Sequence, residues 1–273
     1  MKVGGVWLDF VKPDEVMLHI WRCVERGSQS VIANHNAHSI YLCRVRRSLR
    51  KFFEEADLIQ VDSQPLILWS KALGRPTRRF HRSTYLDWRE QFWSLADKEG
   101  WKVFFVGGEP GVAETAARNL GHRWPRTVVA THHGYFDHSS VSPDNAEVLR
   151  RIEEFKPQVL LVGMGMPIQE EWVQTNRTKL PSIPILTVGA AFDYEAGRQV
   201  AAPRWMGRWG LEWAFRLMVD PRRLVTRYCV EPWFLVGSLV AEIFSPLQRQ
   251  GPKLSDGELS KLVARRGDWA PRH

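Results

Sequence analysis

Polar side chains that could take part in catalysis follow two predicted strands of the sequence. Asp62 comes directly after the run Leu-Ile-Gln-Val, and a carboxylate at the end of a strand is a candidate general base. Asn34 and Asn36 follow another short apolar run, where their amides could contact a ligand. Each has a structural alternative, because Asp62 could cap the helix predicted from Pro65 onward and the asparagines could be turn formers.

Two glycine pairs also follow apolar runs, in a pattern that suits a bound phosphate. Gly107 and Gly108 end one run, and Gly163 and Gly165 follow another. Glycine lets the backbone turn sharply, and the N-terminus of the helix that follows can bind a diphosphate. Gln169 falls in the first turn of the helix after Gly165, although a plain strand-to-helix turn with exposed polar residues is the alternative. The spacing is not G-x-G-x-x-G, so the evidence for a nicotinamide dinucleotide is weak.

The sequence predicts no metal site. His132 and His133 are adjacent, but no third ligand stands at a metal-like spacing, and the chain contains no D-x-D. Tyr135, in the same segment, is a candidate platform for a stacked base. Arg79 belongs to a basic patch over residues 78–82 that suits phosphate, although surface solvation is the usual explanation of such a patch. Asp193 follows the last predicted strand.

Alternating apolar runs and helical patterns predict an α/β fold, a single Rossmann-like domain with a mostly parallel sheet over residues 1–200. Val159 to Val162 is fully apolar and predicts a strand buried on both faces of the sheet. The other strands are predicted at 3–10, 30–33, 58–61, 103–106, 127–130 and 185–188. Helices are predicted at 14–26, 44–55, 66–73, 88–98, 112–120 and 145–155, with another after Pro167.

Composition indicates an intracellular protein with an anionic partner. The 273 residues carry a formal charge of +8, which suits nucleic acid, a phosphorylated substrate or a lipid surface. The three cysteines are widely spaced and form no C-x-x-C, which favours a reducing cytoplasm. The first 14 residues lack the pattern of a signal peptide. The longest apolar stretch, 233–241, is too short to span a bilayer.

Residues 201–247 predict a helical, basic and tryptophan-rich appendage. Trp205, Trp209 and Trp213 recur at helical spacing with arginines beside them, as in an interfacial helix on an anionic membrane. The alternative is that these tryptophans pack on the α/β core. Residues 248–273 are polar and predict a flexible tail.

Six segments occur in one order over roughly residues 5 to 230 and together carry a family resemblance. They are A-D-L-I-Q-V-D (56–62), V-F-F-V-G-G-E-P-G-V-A-E (103–114), T-H-H-G-Y-F (131–136), V-G-M-G-M-P-I-Q-E-E-W (162–172), G-A-A-F-D-Y-E-A-G (189–197) and A-P-R-W-M-G-R-W-G-L-E-W-A-F-R-L-M-V-D-P-R-R-L (202–224). The ordered set resembles the WecG/TagA/CpsF family of bacterial glycosyltransferases.

The resemblance implies transfer of a sugar from a UDP-sugar to a lipid-linked acceptor, with inversion and without a metal or other cofactor. It implies that Asp62 deprotonates the acceptor hydroxyl and that Gln169 lies in the active site. Asn34 and Asn36 match a Thr-x-Asn pair near the donor, so Asn34 departs from the family pattern.

The resemblance also implies where the substrates bind. Tyr135 and Asp193 would lie near the uracil, while Arg216, Arg222 and Arg223 would reach over the pocket towards the lipid pyrophosphate. In the segment 79–88, where many members read R-V-x-G-[ST]-D, Arg79 matches the arginine but the glycine is missing.

The implied location is the cytoplasm, peripheral at the inner face of the cell membrane. The expected partners are the UDP-sugar, the lipid-linked glycan and the membrane surface, with no nucleic acid and with a homo-oligomer left open. Two other classes share part of this pattern: a nicotinamide-dependent α/β enzyme, and a non-catalytic protein that binds anionic membrane or nucleic acid.

Overall fold

The computed structural model describes residues 2–3, 5–74, 77–78, 81–199, 206, 212–219 and 231–243. Its main sheet consists of β3 (Ser30–His35), β4 (Leu58–Val61), β5 (Lys102–Gly107), β6 (Val128–His132), β7 (Val159–Gly163) and β8 (Pro184–Thr187). A separate antiparallel pair, β1 (Lys2–Val3) and β2 (Val6–Trp7), comes first in the chain.

The helices that connect or follow the strands are α1 (Pro13–Arg26), α2 (Ala37–Val45), α3 (Arg47–Glu55), α4 (Gln64–Ala72), α5 (Tyr85–Glu99), α6 (Val112–Arg123), α7 (Pro143–Phe155), α8 (Ile168–Asn176) and α9 (Ala191–Glu195). Two further helices, Glu212–Val219 and Glu231–Ile243, lie in the predicted appendage. Most of the rest of that appendage and the whole of the predicted tail, 248–273, lie outside the described residues.

The six strands of the main sheet are parallel to their neighbours, in the order β4-β3-β8-β7-β5-β6. Their carboxyl ends therefore meet at one edge of the sheet, which is where open α/β sheets bind ligands. This arrangement confirms the predicted α/β class and the mostly parallel sheet.

Helices cover both faces of the sheet. Val159 and Leu161 of β7 pack in one hydrophobic cluster with α1, α5, α6 and α9. Leu160 and Val162 pack in a second cluster with α2, α3, α4, α7 and α8. All four side chains are fully buried, because successive residues of a strand point to opposite faces. The predicted burial of β7 on both faces is confirmed.

Three predicted elements differ from the structure. The predicted strand at 3–10 is wrong, since this segment holds the short strands β1 and β2 with Gly5 between them at a positive φ of 84°. The predicted basic helix at 44–55 is wrong in extent, because Arg46 is extended (φ −125°, ψ 111°) and separates α2 from α3. The strand predicted at 30–33 continues through Asn34 and His35.

Glycine is required where the strand ends approach one another. A Cβ atom on Gly107 would lie 2.3 Å from the carbonyl oxygen of Gly163, and a Cβ on Gly163 would lie 2.4 Å from that of Gly189. The same added atom on Gly163 would also meet the Phe105 ring at 2.7 Å. Backbone hydrogen bonds cross the same region, from Gly108 N–H to Gly163 O at 3.2 Å and from Val188 N–H to Val162 O at 2.8 Å. The exits of β5, β7 and β8 thus pack backbone against backbone.

We expect Gly163→Ala to lower the free energy of unfolding by about 3 kcal/mol or more, because the added methyl group meets a backbone oxygen that cannot move aside. The matched control is Gly121→Ala within α6, where nothing among the described residues lies within 4 Å of the added atom. This control should stabilise the protein by up to about 1 kcal/mol, since alanine favours helix. Guanidinium denaturation of both variants measures the difference, and equal midpoints would contradict the close approach.

Candidate active site

The strand order brings most of the predicted site residues to one edge of the sheet. Along this edge lie Asp62, then Asn34 and Asn36, then Gly189, then Gly163 and Gly165, then Gly107 and Gly108, and last Tyr135. Neighbouring strands are about 4.8 Å apart, so Asp62 and Gly107, which are four strand spacings apart, are separated by roughly 19 Å. A ligand that contacts both must extend along the edge.

Asp62 lies at one end of this row. It is half-buried, and its backbone N–H donates to the His35 carbonyl oxygen at 2.8 Å, which continues the pairing of β4 with β3. The N-cap residue of α4 is Ser63, so the alternative in which Asp62 itself caps this helix is not what the structure shows. The role of Asp62 as general base stays a prediction.

The two asparagines differ in their surroundings. Asn36 is the N-cap residue of α2, where its side-chain oxygen accepts a hydrogen bond from Ser39 N–H at 3.0 Å. Asn34 lies within β3, and its side-chain nitrogen donates to the Thr187 carbonyl oxygen at 2.6 Å, which links β3 to β8. Within the described part of the chain, the side-chain oxygen of Asn34 is buried without a hydrogen-bond partner. It is an acceptor that a donor group on a ligand could satisfy.

His35 and Ser39 hold the start of α2, and sequence reasoning missed both. His35 Nδ1 lies 2.7 Å from Ser39 Oγ, and the imidazole stacks on Phe53 with ring centroids 3.7 Å apart. Burial lowers the pKa of His35 to about 3, so the ring is neutral at physiological pH. The spacing of Asn36 and Ser39 is that of a capping box, and this signal could have placed the start of the helix.

Gln169 is buried, with 2% of its surface exposed, and both ends of its amide have protein partners. Its oxygen accepts a hydrogen bond from Gly189 N–H at 3.2 Å, and its nitrogen donates to Glu170 Oε1 at 2.6 Å. Gln169 therefore connects the start of α8 to the loop after β8. Whether it also touches a substrate stays a prediction.

Glu170 is a third residue that sequence reasoning missed. Its side chain is fully buried, and burial raises the pKa of this carboxyl to about 7. Gln169, Trp172, Val173 and Asn176 form the buried stripe of α8 at helical spacing. Glu170 borders this stripe, which is the sequence signal that could have drawn attention to it.

The segment after β6 holds Tyr135 in an open position. The Tyr135 side chain is 66% exposed, and the backbone beside it is held by a hydrogen bond from Gly134 N–H to Gly108 O at 2.9 Å. His138 contacts the Gly134 carbonyl oxygen at 3.0 Å and packs edge-on against Phe136. The surface of the Tyr135 ring is thus open to a ligand, while the loop that carries it is held by other contacts.

Asp193 lies in α9, which follows β8. The neighbouring Phe192 stacks on Phe105 of β5 with ring centroids 3.6 Å apart. Glu195, at the end of α9, accepts hydrogen bonds from Tyr85 Oη at 2.8 Å and from Arg89 at 3.3 Å. These contacts hold the half-buried Asp193 near the strand ends from both sides of the short helix.

Some predicted site residues cannot be placed. Arg79, Arg222 and Arg223 lie outside the described residues. Arg216 belongs to the helix Glu212–Val219, but the position of its side chain is not described. Over the described ranges, no group of three or more His, Cys, Asp or Glu side chains is arranged to hold a metal ion.

Comparison with known proteins adds to this geometry. The sequence model of the "Glycosyl transferase WecG/TagA/CpsF family" matches residues 1–249. The chain is 29% identical over 193 residues to an N-acetylglucosaminyldiphosphoundecaprenol N-acetyl-beta-D-mannosaminyltransferase of Staphylococcus aureus strain MRSA252, and this match covers 71% of the chain and 73% of the relative. The chain is also 28% identical, over 193 residues in each case, to proteins of the same name from strains NCTC 8325 / PS 47 and MW2.

Proposed function

The chain belongs to the WecG/TagA/CpsF family of glycosyl transferases, and from this premise we propose that it moves a sugar from a UDP-sugar to an acceptor on a polyprenyl diphosphate. The product would enter a bacterial surface polysaccharide or exopolysaccharide. The observation that carries the proposal is the shared edge of the sheet, where a candidate base and the glycine loops of a nucleotide site lie in one row. The name of the Staphylococcus aureus relatives describes an acceptor of the same chemical class, N-acetylglucosaminyldiphosphoundecaprenol.

In this proposal the donor lies along the strand ends. The uracil stacks on the exposed Tyr135 ring near Asp193, and the diphosphate lies over the backbone of Gly107, Gly108 and Gly163. α6 begins at Val112, shortly after the carboxyl end of β5, so its N-terminal dipole would favour an anion at this edge. The sugar then extends towards Asp62.

The transfer step is a single displacement in this proposal. The Asp62 carboxylate takes the proton of the acceptor hydroxyl while that oxygen forms a bond to the anomeric carbon of the sugar. The bond between this carbon and the UDP oxygen breaks, and UDP leaves with the electron pair. Attack from the side opposite UDP inverts the configuration of the anomeric carbon.

The proposal needs no metal ion to stabilise the departing UDP. Backbone N–H groups, helix dipoles and arginines can carry this charge, and Arg216, Arg222 and Arg223 are the candidate arginines of the appendage. Activity that EDTA abolishes and added Mg²⁺ or Mn²⁺ restores would contradict this part of the proposal.

The helix Glu231–Ile243 supports the proposed contact with the membrane. Glu231 accepts hydrogen bonds from His38 of α2 at 2.8 and 2.9 Å, and Leu235 is buried in the core cluster. Trp233, Val236 and Val240 are 76%, 51% and 48% exposed. No helix in the described ranges is long and apolar enough to cross a bilayer. From the exposed Trp233, Val236 and Val240 we propose that this helix lies in the membrane surface and places the enzyme at the inner face, where the proposed lipid-linked acceptor would be found.

The first test concerns the base. Asp62→Asn keeps the shape of the side chain but cannot accept the proton, so we expect the transfer rate to fall by about 10²- to 10⁴-fold with little change in UDP affinity. The rate is measured as UDP release in the presence of acceptor, and UDP affinity by calorimetry. The control is Asp97→Asn in α5, where an asparagine oxygen can still accept the hydrogen bond from Arg126 N–H. Wild-type turnover in Asp62→Asn would rule out its role as base.

The second test concerns the membrane. The triple variant Trp233→Ser, Val236→Ser, Val240→Ser should lower binding to anionic liposomes by about tenfold or more, since three exposed apolar side chains no longer insert. The control is Trp21→Ser in α1, an exposed tryptophan on a helix of the opposite layer. Co-sedimentation with liposomes measures the partition. Equal partition of the triple variant and the wild type would contradict insertion of this helix.

A further inference from the structure

Hydrogen-bond chemistry fixes the direction of the Gln169 amide. The backbone N–H of Gly189 can only donate, so the Gln169 oxygen must face it, as it does at 3.2 Å. The Gln169 nitrogen must then face an acceptor, and Glu170 Oε1 is that acceptor at 2.6 Å. Reversing the amide would place two donors against each other at Gly189. Two partners therefore hold the amide in this direction: the Gly189 N–H requires the Gln169 oxygen, and the Glu170 carboxylate requires the Gln169 N–H.

The loop that Gly189 begins lies between two parts of the candidate site. The carbonyl oxygen of Gly189 is the atom that a Cβ on Gly163 would meet. Two residues earlier, the carbonyl oxygen of Thr187 accepts a hydrogen bond from the Asn34 side chain. The same loop leads into α9, which carries Asp193. A shift of Gly189 would therefore alter the positions of the glycine loops after β5 and β7, of β3 and of Asp193.

We infer that Glu170 is a positioning residue of the transfer site: its carboxylate accepts the Gln169 N–H, which turns the Gln169 oxygen to Gly189 and holds the loop after β8. The expected effect on sugar transfer rests on the proposed function. The expected effect on the loop after β8 rests on the hydrogen bonds alone. A carboxylate can only accept, whereas a carboxylic acid can donate and so allows the amide to reverse.

The surroundings of Glu170 show that its charge is not compensated. Its Oε2 is buried, and among the described residues it has no hydrogen-bond partner. The charged neighbour on the same helix is Glu171, whose like charge raises the pKa of Glu170 in addition to the larger effect of burial. On α2, Cys43 interacts electrostatically with Glu170: burial raises the pKa of this thiol to about 12, Arg50 of α3 lowers it, and the Glu170 and Glu54 charges raise it. Cys43 is therefore neutral across the physiological range, and Glu170 is the group that titrates there.

The sign of the pH dependence follows from the raised pKa of Glu170, about 7 in the folded protein against the ordinary 4.5. Above pH 7 the Glu170 carboxylate accepts the Gln169 N–H and so keeps the Gln169 oxygen turned towards Gly189. Below pH 7 the protonated carboxyl group no longer enforces this direction. Transfer should therefore fall as the pH drops through 7. Stability should change in the opposite sense, because the folded state binds this proton more tightly than the unfolded state. That contribution is complete below pH 4.5 and is lost as the pH rises through 7.

The experiment compares Glu170→Gln with the wild type from pH 5.5 to 9, using a UDP-sugar and a polyprenyl-diphosphate-linked N-acetylglucosamine as probes. A glutamine at 170 can donate or accept, so it no longer selects the direction of Gln169. We expect kcat at pH 8 to fall roughly ten- to hundredfold, which is the size of effect that a small misplacement produces. The acidic limb near pH 7 should disappear in Glu170→Gln and remain in the control Glu171→Gln, whose partners are Ser48 and Arg46.

A second variant tests the direction of the amide itself. Gln169→Glu places two carboxyl groups side by side, and they can form the hydrogen bond only by sharing a proton. Its transfer rate should therefore rise as the pH falls, opposite to the wild type. A pH profile like that of the wild type in either Gln169→Glu or Glu170→Gln would overturn the inference.

Denaturation of the full chain provides an arm that needs no substrate. Relative to Glu170→Gln, the wild type should lose stability as the pH rises through 7. If both proteins show the same pH dependence of unfolding, the inference fails even where transfer occurs. If the wild type transfers no sugar at any pH but unfolds as expected, the proposed function fails while the placement of Glu170 stands.

Discussion

The candidate site depends on the close approach of backbone at the ends of β5, β7 and β8. Gly107 and Gly163 stand where a side chain would collide with a neighbouring carbonyl group, that of Gly163 and that of Gly189 respectively, so the three strand exits can lie against one another. Because no side chains stand between these exits, backbone N–H groups and carbonyls form the floor of the edge. A diphosphate and its sugar could lie on such a floor, while Asp62 and Tyr135 stand at its two ends.

Buried polar groups next to these strand exits hold the loops in position. Asn34 ties β3 to the last residue of β8, and Gln169 ties α8 to Gly189 two residues later. Since a buried polar group without a partner is unfavourable, each of these amides narrows the positions that the loop can take. Glu170 sets the direction of the second amide, which connects a buried charge on α8 to the geometry of the ligand edge. The proposed catalytic groups are thus positioned by residues that need not touch the substrate.

The sequence predicted the sheet more closely than it predicted the partners of polar side chains. The uninterrupted apolar run at 159–162 indicated burial on both faces, and the glycines after it indicated a sharp exit, because both properties are local. The bond from Gly189 to Gln169 joins residues 20 positions apart, and no local pattern contains it. Glu170 looks like an exposed charge in the sequence, and only the packing of α8 in the fold, with α3 against it, buries this side chain. The prediction did not include the start of α2, although the Asn36–Ser39 spacing is that of a capping box. The role of Asp62 stays a prediction.

The most direct measurement is sugar transfer itself. The purified protein is incubated with a panel of UDP-sugars and a polyprenyl-diphosphate-linked N-acetylglucosamine, and the mass of the lipid product is measured by mass spectrometry. We expect at least one donor to increase the acceptor mass by one sugar residue with release of UDP, and we expect this increase to be lost in Asp62→Asn. An acceptor of unchanged mass with every donor, with or without added divalent cations, would contradict it.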